Sequence, residues 1–139
     1  AEFVPDLLKY RPYLIKPNDE ELAEWFGLIN PSLEEIKDCG QKLLEKGAEN
    51  VLVSLGEKGA ILFTPTETIH VTAPKGEVVN TACAGDTLLA TFVGSQLLGL
   101  SDEQALIKAV AAGSSTAFRP GLTDFSDVPT LMQQIKRIL

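Results

Sequence analysis

The chain has 139 residues, 45% hydrophobic and 22% charged, with a formal net charge of −7. This is the composition of a globular domain of ordinary size, and an acidic chain without a basic cluster argues against a nucleic-acid backbone as partner. A nucleotide stays open, because local backbone N–H groups hold phosphate against an unfavourable global charge.

In chain order, Tyr13-Leu14-Ile15 is a short apolar run that reads as a buried strand ending at Lys16-Pro17. Asn18-Asp19-Glu20-Glu21 opens a helix to about Gly27, and Ser32-Leu33-Glu34-Glu35 opens another that ends at Gly47. Val51 to Leu55 is a continuous apolar strand, Gly56-Glu57-Lys58-Gly59 a turn, and Ala60 to Thr64 the next strand. A third strand is expected over 66–71, then a loop over 72–83 with Pro74 and Gly76. A helix from Ala84 through Leu98 is apolar in its interior (Leu88, Leu89, Phe92, Val93, Leu97) and is expected to be largely buried. Ser101-Asp102-Glu103-Gln104 opens a helix to about Phe118, and a last amphipathic helix is expected over 128–138. This order indicates a layered α/β fold. Four strands make only a small sheet, so its open edge is expected to pair with strands of a missing N-terminal half.

No apolar run reaches the ~18 residues of a membrane span, and no signal peptide is visible. Cys39 and Cys83 lie far apart and form no metal-ligand spacing. A reducing compartment, the cytoplasm, is expected, with no membrane partner.

Four segments carry possible chemistry. In Asn80-Thr81-Ala82-Cys83-Ala84-Gly85-Asp86-Thr87, small residues precede an apolar helix. The unpaired N–H groups of a helix start suit a transferring phosphoryl group, and Asp86 could accept a proton from an attacking hydroxyl. Equally, Asp86 could merely complement the helix dipole. In Lys16-Pro17-Asn18-Asp19-Glu20-Glu21, Asn18 and Glu21 either serve a metal and phosphates at a strand end or form a capping box, as is expected of Ser32…Glu35 and Ser101…Gln104. Ser54-Leu55-Gly56-Glu57-Lys58-Gly59 is a hairpin turn or a loop along a nucleotide. Ala109 to Ala117 is a run of small residues, suited to tight helix packing or to a flat adenine slot. Neither a P-loop nor a dinucleotide fingerprint is present. A KH-like RNA reading of Gly56–Gly59 fails, because here the loop joins strands. His70 and Cys39 read as structural.

In this order the four segments resemble the PfkB family of sugar kinases, which includes ribokinase, and the resemblance runs from about Tyr13 to the C-terminus. Lys16, Pro17, Asn18 and Glu21 match the family's Lys-Pro-Asn and Glu; Ser54, Leu55, Gly56 and Gly59 match its nucleotide loop; Cys83, Ala84, Gly85 and Asp86 match its Gly-Ala-Gly-Asp signature; Ala111 to Ala117 resembles its adenine-side helix. The resemblance implies a ribokinase-like α/β fold, with residues 1–139 forming a single partial domain. That domain would be the nucleotide-binding C-terminal half, a partial sheet flanked by helices, without the sugar-binding half and lid and inactive alone.

The roles it implies are Asp86 as catalytic base and the N–H groups around Cys83, Ala84 and Gly85 as anion hole. Ser54 to Gly59 (with Glu57 and Lys58), Gly85 and Ala112 would lie along the nucleotide. Lys16, Asn18 and Glu21 would organise phosphates and metal, Glu21 through water. ATP and Mg²⁺ are the implied cofactors, a phosphosugar the second substrate and a homodimer a possible assembly. The wording is most similar to the family's 1-phosphofructokinase branch, which implies phosphorylation of fructose 1-phosphate to fructose 1,6-bisphosphate. The alternatives are a tagatose-6-phosphate kinase, another PfkB sugar kinase or a non-catalytic nucleotide-binding module. The chain departs from the family at Cys83, where Gly is usual, at Thr91, where Gly or Ala is usual, and at Asn80, where ribokinase has Asp.

Overall fold

The structure is a computed structural model that describes residues 6–79, 81, 83–120 and 123–138. After a 3-10 turn at Asp6–Tyr10 come α1 (Asp19–Phe26), α2 (Leu33–Glu45), β1 (Val51–Ser54), a 3-10 turn at Gly56–Lys58, β2 (Ala60–Phe63), β3 (Thr68–Val71), α3 (Ala84–Leu97), α4 (Asp102–Ala117) and α5 (Val128–Met132). The strands form one sheet in the order β1-β2-β3. The connections over 55–59 and 64–67 are too short for parallel crossovers, so this is an antiparallel meander. The chain divides into two compact units, Ala1–Leu55 with Ile61–Thr68 and Gly56–Ala60 with Ile69–Leu139.

In the first unit, α1 and α2 begin at side-chain caps and present apolar faces to one core. Leu22, Phe26, Ile36, Cys39 and Leu43 from the helices meet Val51, Val53, Ile61 and Phe63 from the strands. Burying each large side chain contributes about 1.5–3 kcal/mol. Gly40 sets the helix–sheet distance: a Cβ there would overlap the Phe63 ring. The run Tyr13-Leu14-Ile15 is not the buried strand its apolarity suggests, since Tyr13 is exposed and Leu14 and Ile15 are half-buried. It makes isolated parallel bridges beside β1, Ile15 with Val51 and Asn18 with Ser54. Asn50 also donates to the Tyr13 carbonyl (2.9 Å).

In the second unit, α3 packs on α4, and α4 on α5. At Gly113 an added Cβ would lie 3.1 Å from the Ala84 carbonyl oxygen, so the helices meet where α4 has no side chain. The expected burial of α3 is corrected. Leu88, Phe92 and Ser95 are buried, but Leu97 and Leu98 are 84% and 76% exposed. A helix apolar all round can bury only the side its neighbours cover.

The expected helix over 128–138 is also shorter. It stops at Met132, and the following residues run antiparallel to β3, with Val71 bridging Arg137. Thr72 N–H donates to Lys136 (2.8 Å) and Ile138 N–H to His70 (2.8 Å). Sheet pairing outcompetes a third helical turn here, and Arg137 is tied to Glu103 at 2.8 Å. Each outer strand therefore has a bridging segment beside it, Ile15 and Asn18 along β1 and Arg137 along β3.

Candidate active site

In the first unit, the segment 15–18 runs parallel to β1 and ends at Asn18. The Asn18 Oδ1 accepts the Glu21 N–H at 2.7 Å, and the Glu21 Oε1 accepts the Asn18 N–H at 3.1 Å. The structure therefore builds the capping box, and this box brings the two candidates together. The bridge to Ser54 sets Asn18 beside the last residue of β1. Lys16 is half-buried and Pro17 buried. Leu55 belongs to the hydrophobic core, so its side chain is committed to packing.

In the second unit, Gly56, Glu57 and Lys58 form an exposed 3-10 turn, while Gly59 is buried. The two glycines differ physically. Gly56 has φ 60° and open space around it. Gly59 has φ 94°, and a Cβ there would overlap the Val71 carbonyl oxygen. The ring Nε2 of His70 lies 3.2 Å from the Lys58 carbonyl, which braces the turn from inside.

Helix α3 starts without a side-chain cap. Cys83 is the N-cap residue, at φ −103° and ψ −8°, and makes no cap hydrogen bond. By contrast Asn18, Ser32 and Ser101 cap α1, α2 and α4. Among the described residues the first-turn N–H groups of α3 thus have no side-chain acceptor, an arrangement that suits an anion. Cys83, Ala84 and Gly85 are half-buried there and Asp86 is exposed. Asn80 and Ala82 of the same segment lie outside the described residues.

Ala112 is 0% exposed, among the small buried residues of α4. The motif reading passes over Thr87. Its hydroxyl donates to the Cys83 carbonyl at 2.9 Å. The available signal was a threonine one turn into a helix, where back-bonding to the fourth residue before it is common.

Among the described residues no three His, Cys, Asp or Glu are grouped as metal ligands, and no helix is long and apolar enough to cross a membrane. A cavity of about 770 Å³ is lined by Gly94 of α3, Lys108 of α4 and Met132 of α5, with Leu98 and Phe125 beside them. It contains none of the motif residues, and its lining offers little polar chemistry. The motif cluster at the start of α3 is therefore the stronger candidate.

A family model for "pfkB family carbohydrate kinase" matches residues 2–130. The chain belongs to this family. Curated PfkB-type relatives include a D-tagatose-1-phosphate kinase of Bacillus licheniformis, 53% identical over 94% of this chain and 43% of its own length. A 1-phosphofructokinase of Bacillus subtilis is 40% identical over 91% of this chain and 42% of its own. A solved Arabidopsis thaliana ribokinase, complexed with ribose and ATP, superposes with a TM-score of 0.77 at 33% identity, covering 87% of this chain and 41% of that one. The α/β fold is thus ribokinase-like. The chain spans about two-fifths of the length of these PfkB relatives.

Proposed function

We propose that this chain is the nucleotide-binding and catalytic part of a kinase that transfers the γ-phosphoryl group of ATP to a hydroxyl of a ketohexose 1-phosphate. The observation that carries this reading is the uncapped start of α3 with Asp86 exposed in its first turn. The acceptor oxygen bonds to the γ-phosphorus while the bond to the β,γ-bridging oxygen breaks, and ADP leaves. Asp86 accepts the proton released by the hydroxyl. The N–H groups of the Cys83–Gly85 turn receive the charge that develops on the equatorial oxygens, the preorganised stabilisation that phosphoryl transfer mainly needs.

The exposed turn at Gly56, Glu57 and Lys58 presents backbone to the nucleotide, with Ser54 at its start. Mg²⁺ bound to the nucleotide phosphates would neutralise their charge. Glu21, through water, and Asn18 are the residues of this chain for that task, and Lys16 adds positive potential. Glu21 uses Oε1 in the capping box, so the box orients its carboxylate.

The acceptor assignment rests on the relatives. Fructose 1-phosphate, giving fructose 1,6-bisphosphate, is the acceptor expected from the sequence. D-tagatose 1-phosphate stands beside it because the 53% identical relative is named for that substrate. The acceptor-binding residues are assigned to the remainder of a longer protein. In that full-length protein, Asp86→Asn should lower turnover by at least about a hundredfold while nucleotide affinity stays within a few-fold. Near-normal turnover in a folded D86N enzyme would refute the base assignment. ATP binding with no turnover of either sugar phosphate by the unmodified enzyme would favour the non-catalytic module.

A further inference from the structure

We propose that Thr116, acting through Thr87, is a positioning residue of the phosphoryl-transfer site, one that pins the first turn of α3 on which Asp86 stands. The inference rests on the reading of Asp86 as base.

The Cys83 carbonyl accepts two bonds from Thr87, from its N–H at 2.9 Å and from its hydroxyl at 2.9 Å. Thr116 on α4 donates its hydroxyl to Thr87 Oγ1 at 3.1 Å. Thr116 Oγ1 in turn accepts the N–H of Thr123 at 3.3 Å. A hydroxyl has one proton, so the order of donors is fixed: Thr123 N–H to Thr116, Thr116 to Thr87, Thr87 to the Cys83 carbonyl.

The far end of this chain is anchored. The Thr123 and Ser115 hydroxyls lie 2.5 Å apart, and Ser115 Oγ lies 2.5 Å from Asp127 Oδ1. An ionised carboxylate only accepts, so Ser115 donates to Asp127 and Thr123 to Ser115. Asp127 Oδ2 pairs with Arg119 Nη2 at 3.0 Å, and Arg119 Nε donates to the Ser115 carbonyl at 3.0 Å. Thr123 therefore joins an ion pair at the end of α4 to the start of α3.

Two features make this chain consequential. Helix α3 has no side-chain cap of its own, so its first turn is held by the Cys83 carbonyl bonds and by the close approach of α4 at Gly113. Thr116 and Ser115 are both 0% exposed, so the link runs through the buried side of α4, while Thr87 and Thr123 are half-buried. Valine at 116 would keep the shape, leave the Thr123 N–H without its acceptor and release Thr87. The turn carrying Asp86 would loosen, and small misplacements of a catalytic group are costly in rate.

The test uses the full-length kinase in T116V, T87V, T116V/T87V and T116S forms, with folding checked by thermal unfolding. Amide exchange of residues 87–91 should quicken in T116V and in T87V. The double variant should go little beyond the larger single change, as expected for one shared path. T116V should lower kcat about tenfold, with KM for MgATP changed less than about twofold, and T116S should restore kcat. Unchanged exchange in folded T116V and T87V would overturn the pin. Quickened exchange with unchanged kcat would overturn the role in catalysis. Quickened exchange in an enzyme whose unmodified form phosphorylates no ketohexose phosphate would support the pin and overturn the reaction assigned above.

Discussion

The two glycines of the loop at residues 56–59 should respond very differently to alanine. Gly56 has φ 60° with no atom within 4 Å of an added Cβ. Its replacement costs about 1–2 kcal/mol for a left-handed residue, partly offset by about 0.4–1 kcal/mol from restricting the unfolded chain. The net loss should be about 0–1.6 kcal/mol. Gly59 has φ 94°, and its Cβ would overlap the Val71 carbonyl oxygen and lie 2.9 Å from the carbonyl carbons of Val71 and Thr72. These are backbone atoms of β3 and the residue after it, which cannot rotate away. Overpacking adds about 1–3 kcal/mol to that net cost, so Gly59→Ala should lose about 1–4.6 kcal/mol, more than Gly56→Ala by the overpacking alone.

Urea denaturation followed by circular dichroism measures both variants, and nucleotide titration of the folded fraction separates the roles. Gly56→Ala, on the exposed turn, should weaken ATP binding while nearly preserving stability. Gly59→Ala should act first on stability. Equal denaturation midpoints for the two would refute the claim that close backbone approach, rather than turn conformation alone, selects glycine at 59.

Two further predictions follow from the same unit. Cys83 is half-buried at the α3 start and Cys39 is buried in the other unit's core, so iodoacetamide should modify Cys83 first and saturating MgATP should slow it. Equal rates at Cys83 with and without MgATP, measured by peptide mass spectrometry in a protein that binds MgATP, would refute the anion site there. The Asp124 carboxyl is held below its ordinary value by hydrogen bonds from the Ser126 side chain and N–H and by the nearby Arg119 guanidinium. Its contribution to stability should be present above the unfolded carboxylate value, about 3.9, and lost as pH falls through the lower folded value. It should be small, because the group is exposed. An NMR titration midpoint for Asp124 at or above the ordinary value would contradict this.

What the sequence determined by itself was local. The caps at Asn18 and Ser32, each with a glutamate three residues on, are written in neighbouring side chains and appear as complete capping boxes. The turn at residues 56–59 and the helix start after Cys83 are likewise signalled within a few residues. The four ordered motifs suffice for the family, because each is short and nearly contiguous. Tertiary structure decided whatever depends on a distant partner. Tyr13-Leu14-Ile15 lies beside β1 with its first residue exposed, and residues 135–138 leave the helical pattern because β3 offers hydrogen bonds that a helix end does not. Leu97 and Leu98 remain exposed although their helix is apolar all round, since burial needs a covering neighbour. Ala112 is buried, because α4 packs its small residues inward. The path from Thr123 through Thr116 and Thr87 to Cys83 joins residues up to forty positions apart. Hydrogen bonds depend on where folding brings donors and acceptors, and no short-range pattern in the sequence records that position.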